Sequence, residues 1–97
     1  MNDISELKKL VARFRDERDW KKYHTPKDLS LSISIEAAEL LELFQWRDGH
    51  CDKERLEEEM ADVMIYLLSL ADVADIDLGE AVIKKLEKNE EKYPLPQ

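Results

Sequence analysis

Cysteine is nearly missing from this 97-residue chain, with Cys51 standing alone. One thiol cannot close a disulfide within the chain or build a cysteine-based zinc site, and nothing beside it suggests a catalytic pair, so no role is assigned to it. Glycine and proline are also scarce, with two and three residues. No apolar leader stretch opens the sequence. The longest apolar run, Met60 to Ala74, falls short of the roughly 20 residues needed to cross a bilayer and contains Asp62 and Asp72. A cytoplasmic protein with no membrane partner is expected.

Charge, by contrast, is abundant. Charged residues make up 39% and the net charge is −8, yet hydrophobic residues still reach 43%. That balance is not the low-hydrophobicity signature of disorder. The wealth of Leu, Glu, Lys and Ala favours helices. An acidic surface is repelled by a nucleic-acid backbone, so a duplex is not an expected partner. It can still handle phosphates if a cation lies between carboxylate and phosphate. The length suits a single domain over residues 1–97, with a core small enough for an oligomer or a metal to assist.

Four helices are expected. The first runs from about Ile4 to about Trp20 behind an Asp3 cap, with Ile4, Leu7, Leu10, Val11 and Phe14 on one face. Tyr23 to Pro26 breaks it. The second begins ambiguously, because Leu29, Leu31, Ile33 and Ile35 alternate with serines as in a strand. The continuing stripe of Ile33, Ala37, Leu40, Leu41 and Phe44 favours helix, ending near Arg47 ahead of Asp48 and Gly49. The third runs from about Lys53 to Ala74, capped by Asp52, and from Met60 onward is apolar on nearly every side. A small chain cannot cover such a helix alone, so part of it is expected to pack against another copy. Asp62, Tyr66 and Ser69 form its narrow polar stripe. The fourth opens with a capping box, Asp77 and Glu80, and ends before Pro94.

Two carboxylate pairs stand out: Glu36 with Glu39, and Glu59 with Asp62. Residues three apart share a helix face. If the second and third helices run antiparallel, four carboxylates can converge. Without a cation they would repel one another; hard oxygen ligands suit magnesium, with manganese as a substitute. Glutamate pairs at this spacing are also common on solvated faces. Asp62 is harder to dismiss, because it interrupts a run expected to be buried and so needs a metal or a basic partner.

With these motifs the chain resembles the MazG-type all-alpha nucleoside triphosphate pyrophosphohydrolases, which carry E-x-x-E on one helix and E-x-x-D on the next. Here these are Glu36 to Glu39 and Glu59 to Asp62, with nineteen residues between the pairs. Further stretches resemble the dCTP pyrophosphatase branch: Glu17 to Trp20, His24 to Pro26, Leu43 to Trp46, Asp62 to Tyr66, and Lys85, Asn89, Tyr93 and Pro94. One departure is Ile35, where many members carry Glu.

The resemblance implies a four-helix MazG-like bundle completed by homo-oligomerisation, a tetramer built as a dimer of dimers. It implies magnesium-dependent hydrolysis of a nucleoside triphosphate, dCTP and related deoxynucleotides foremost, to the monophosphate plus pyrophosphate, as housekeeping of the nucleotide pool. Glu36, Glu39, Glu59 and Asp62 would hold the metal and carry the catalysis, with Glu36 or Glu39 accepting the proton of water. Trp20, His24 and Trp46 would line the base pocket, although both tryptophans also read as ordinary core aromatics. Lys85 would touch phosphate, Asn89 the base edge, and Tyr93 would support them, unless the three simply belong to a solvated last helix. Tyr66 would lie near the sugar or the metal.

Two other classes compete. A di-metal carboxylate oxidoreductase needs Glu-x-x-His pairs, which are absent. A non-catalytic helical oligomerisation module would explain the apolar helices but not Asp62 in register with Glu59.

Overall fold

Each helix starts where a short polar side chain can take an otherwise orphaned backbone N–H. In the computed structural model, which describes residues 3–46 and 51–96, Asp3 caps α1 (Ile4–Glu17) by accepting from Glu6 N. Thr25 caps α2 (Pro26–Glu42), where Pro26 at the first position loses no hydrogen bond. Asp52 caps α3 (Lys53–Val73), and Asp77 caps α4 (Leu78–Lys92) by accepting from Glu80 N. The all-α expectation holds, with four α-helices and no strand among the described residues.

The serines that made the start of α2 look strand-like sit within the helix. Ser30 Oγ donates to Pro26 O at 2.8 Å and Ser34 Oγ to Ser30 O at 3.2 Å, so their hydroxyls are satisfied by the preceding turn.

Two helix ends come earlier than the sequence suggests. α1 stops at Glu17 rather than near Trp20, because Asp19 turns left-handed at φ 55°. Trp20 N then reaches Arg15 O and Asp19 N reaches Asp16 O, the bonds of a Schellman close made without glycine. Asp75, also at φ 55°, closes α3 in the same way. A single 3₁₀ turn, Lys21–Tyr23, joins α1 to α2. α2 itself ends at Glu42, and Leu43, Phe44 and Gln45 continue as a tighter turn with hydrogen bonds three residues back. The expected stop at Arg47 to Gly49 lies outside the described residues.

α2 and α3 pack along much of their length, and α1 lies against α3. The late residues of α2 meet the first turn of α3, while Glu36 meets Glu59 and Asp62, so the two helices run antiparallel. The buried apolar residues are Leu29, Leu43, Leu68 and Ala71. On α2 the inward stripe is therefore Leu29, Ile33, Glu36, Leu40 and Leu43. The expected stripe was displaced: Ala37 and Leu41 face outward. Arg15, only 4% exposed, reaches from α1 to Asp72 near the end of α3 at 2.7 Å and to Asp16 at 3.0 Å. Lys8 Nζ donates to Ile76 O, tying α1 to the α3–α4 turn. α4 leans mainly on α1 and leaves Val82, Ile83 and Leu86 exposed. No helix among the described residues is long and apolar enough to cross a membrane.

Candidate active site

Glu36 occupies a position on α2 where an apolar residue would pack, between Ile33 and Leu40 on the inward stripe. Opposite it, α3 offers Glu59 and Asp62, one turn apart. One oxygen from each of the three carboxylates lies within 4.8 Å of the others. Glu36 Oε2 and Glu59 Oε2 are buried with no hydrogen-bond partner. Such atoms are costly unless something satisfies them. Burial first, then a hydrogen bond with Glu39, then the charges of Glu39, Asp62 and Glu59 push the Glu36 carboxyl up to about 7.

The donors fit a hard divalent cation. Three carboxylates on facing helices, two of them with a buried and unpartnered oxygen, supply the oxygen ligands that such a cation prefers. Glu39 stands beside this trio and borders the adjoining cavity. Asp62 corrects one expectation. It is exposed in the single chain, not buried, and no basic group among the described residues pairs with it. The buried acidic oxygens belong instead to Glu36 and Glu59.

The cavity of about 530 Å³ next to the carboxylates is lined by Glu39, Glu42, Leu43 and Trp46 on one side and by Cys51, Asp52, Arg55 and Glu59 on the other. Its size lies in the range of small-molecule sites. Trp46, 86% exposed, therefore stands at the same cavity as Glu39 and Glu59. The sequence singled out neither Arg55 nor Glu42, and it gave Cys51 no role. The available signal for Arg55 was its register, four residues before Glu59 and seven before Asp62.

The remaining candidates are dispersed over the single chain. Trp20 packs edge-on against Phe14 at 5.8 Å, with the Arg18 guanidinium over the Phe14 ring. His24 is half-buried with Nδ1 unpartnered; burial, and then the Arg15 charge, hold its imidazole below its ordinary value. Tyr66 is half-buried one turn beyond Asp62, and Ser69 is satisfied by Ile65 O at 2.9 Å. Lys85, Asn89 and Tyr93 lie on α4, and none of them borders the carboxylate cavity; Asn89 and Tyr93 line a separate surface hollow with Ile83 and Leu86.

A family model described as the MazG-like family matches residues 31–97, which include both carboxylate pairs. The chain belongs to the MazG-like family. The chain is 41% identical over 101 aligned positions to dCTP pyrophosphatase 1 of Mus musculus, covering 95% of this chain and 59% of that protein. It is 40% identical to dCTP pyrophosphatase 1 of Homo sapiens, covering 94% and 59%. This MazG-like chain thus spans about three fifths of the length of those relatives. A solved pyrophosphatase from Archaeoglobus fulgidus superposes with a TM-score of 0.81 at 53% identity, covering 94% of this chain and 92% of that one.

Proposed function

We propose that this chain hydrolyses nucleoside triphosphates, dCTP and related deoxynucleotides foremost, to the monophosphate plus pyrophosphate, with magnesium as the cofactor and manganese as a substitute. The observation that carries the reading is the pair of buried, unpartnered oxygens of Glu36 and Glu59 facing Asp62 beside a nucleotide-sized cavity. The names of the relatives support the reaction class.

Glu36, Glu59 and Asp62, with Glu39 beside them, would hold the metal. When bound, the cation neutralises phosphate charge and acidifies water. Glu39, exposed and bordering the cavity, accepts the proton of the attacking water. The water oxygen bonds to the alpha phosphorus, the bond from that phosphorus to the bridging oxygen breaks, and pyrophosphate leaves. Trp46 offers its ring to the base, a stacking contact of about 1–3 kcal/mol. Trp20, His24, Lys85, Asn89 and Tyr93 join the site through neighbouring copies of a homo-oligomer, a tetramer in this reading, and Tyr66 supports the metal side. The role is housekeeping of the nucleotide pool.

The test is incubation of the purified protein with magnesium and a panel of nucleoside triphosphates, followed by separation of products. Monophosphate plus pyrophosphate, with dCTP among the fastest substrates and activity abolished by chelation, is expected. Folded protein that turns over no nucleotide would return the chain to a non-catalytic association module.

A further inference from the structure

The charged groups lining the carboxylate cavity are four acids, Glu39, Glu42, Asp52 and Glu59, and a single base, Arg55. A nucleotide entering this cavity carries several negative charges into a wall that is itself negative. Metal bound by the carboxylates offsets part of that repulsion, and Arg55 is the one fixed positive charge in the described lining.

Two features mark Arg55 as more than a surface arginine. The first is register. Arg55, Glu59, Asp62, Tyr66 and Ser69 follow one another at four, three, four and three residues, so Arg55 opens the stripe of α3 that carries the carboxylates. It stands one turn, about 6 Å along the axis, before Glu59. The second is the absence of a partner. Although Glu59 lies four residues on and Asp52 three residues back, Arg55 makes no ion pair or side-chain hydrogen bond among the described residues. Glu59 instead turns toward Glu36 and Asp62. The guanidinium is left bordering the cavity with its donors unused.

We propose that Arg55 binds the phosphate chain of the nucleotide, as a substrate-binding residue that acts on phosphate and not on the base. The proposal rests on the triphosphate reading above. A guanidinium suits it, because it stays charged at any working pH and presents paired N–H donors that match two phosphate oxygens. Such a contact carries no base preference, whereas an arginine reading a base edge would discriminate among nucleotides.

The experiment compares the wild type with Arg55→Ala, Arg55→Gln and Arg55→Lys. Its readouts are KM and kcat for several deoxynucleoside triphosphates, and calorimetric binding of inorganic pyrophosphate in the presence of magnesium. The expected result is a KM raised roughly ten- to hundredfold for every nucleotide alike in the Ala and Gln variants. Pyrophosphate should weaken by a similar factor, kcat should stay within about threefold, and Lys should fall between. Losses confined to one base, or pyrophosphate binding that is unaffected, would overturn the proposal. A wild type that turns over no nucleotide, yet binds pyrophosphate through Arg55, would sink the proposed activity and keep the anion site. Arg55 is exposed, and helical circular dichroism checks that each variant folds.

Discussion

Glu36 concentrates the conflict between folding and chemistry in one residue. Its carboxyl is held at about 7, against an ordinary value of 4.5, by burial and by three acidic neighbours. A proton bound more tightly in the folded state favours folding below the ordinary value, and that contribution is lost as pH rises through about 7. Metal-free protein should therefore lose stability between about pH 5 and pH 8, as Glu36 is forced to ionise next to Glu59 and Asp62. The variant Glu36→Gln removes this repulsion at the cost of a ligand. In chelator at about pH 8 it should melt above the wild type, with the gap closing toward about pH 5. With magnesium the order should reverse, and turnover should fall at least about a hundredfold. Thermal melts across pH, with and without magnesium, check this; a gap that does not grow with pH would refute it. The residue was visible in the sequence as half of an E-x-x-E motif. Its burial was not, because that depends on which stripe of α2 turns inward.

At the scale of elements, the hydrogen-bonding needs of helix ends explain why most boundaries were legible. Asp3, Asp52 and Asp77 cap where the sequence places them, because a short acceptor ahead of an apolar periodic run has few other uses. The end of α1 was less legible, since Asp19 adopts the left-handed conformation that glycine usually announces, whereas α3 ends within a residue of the expected Ala74. How the helices join was not legible either. Arg15 reads in sequence as one of many surface cations, yet it is buried and couples α1 to α3 through Asp72. Its guanidinium is held further above its ordinary value by the hydrogen bond to Asp16, against the cost of burial, with Asp72 adding to the effect. Arg15→Ala should destabilise the fold by about 2–4 kcal/mol, because it removes packing and strands Asp72. Asp72→Asn should cost less, since Asp16 remains as a partner for Arg15. Urea denaturation of the two variants checks the order, and equal small losses would mean that the bridge is incidental. The same Arg15 charge helps to hold His24 neutral, after burial, so a link runs from this strut to a base-pocket candidate.

The whole molecule is more open than a compact chain of its size. Its surface of 8052 Å² compares with about 5,800 Å² for a compact chain of 11.4 kDa. Its radius of gyration of 16.0 Å compares with about 12.5 Å for a compact domain of 97 residues. Part of the exposed surface is apolar. Leu40, Met60, Ala61, Met64 and Leu67 line an open hollow between α2 and α3, and α4 presents Val82, Ile83 and Leu86 to solvent. These apolar surfaces support the proposed homo-oligomer, which would cover them. Light scattering should give a mass near four times 11.4 kDa. In the proposed tetramer, the double variant Met64→Glu with Leu86→Glu should shift the mass toward the monomer, with loss of turnover because the α4 side chains would no longer reach a neighbouring site. A wild type that stays monomeric at micromolar concentration would overturn the shared-site arrangement.

The sequence by itself determined the helices, most of their caps and the two carboxylate pairs, because period, capping chemistry and i to i+3 spacing are local properties. It could also mark Asp62 as anomalous, since an acid within an apolar run is visible without coordinates. Only the tertiary structure decided that Glu36 and Glu59 carry the buried oxygens while Asp62 is open, that Trp46 and Arg55 share the cavity while Trp20 turns to Phe14, and that Arg15 is a strut. Those outcomes depend on the rotation of each helix about its own axis and on the antiparallel approach of α2 to α3. Both are set by packing among residues distant in the chain, which no local pattern encodes.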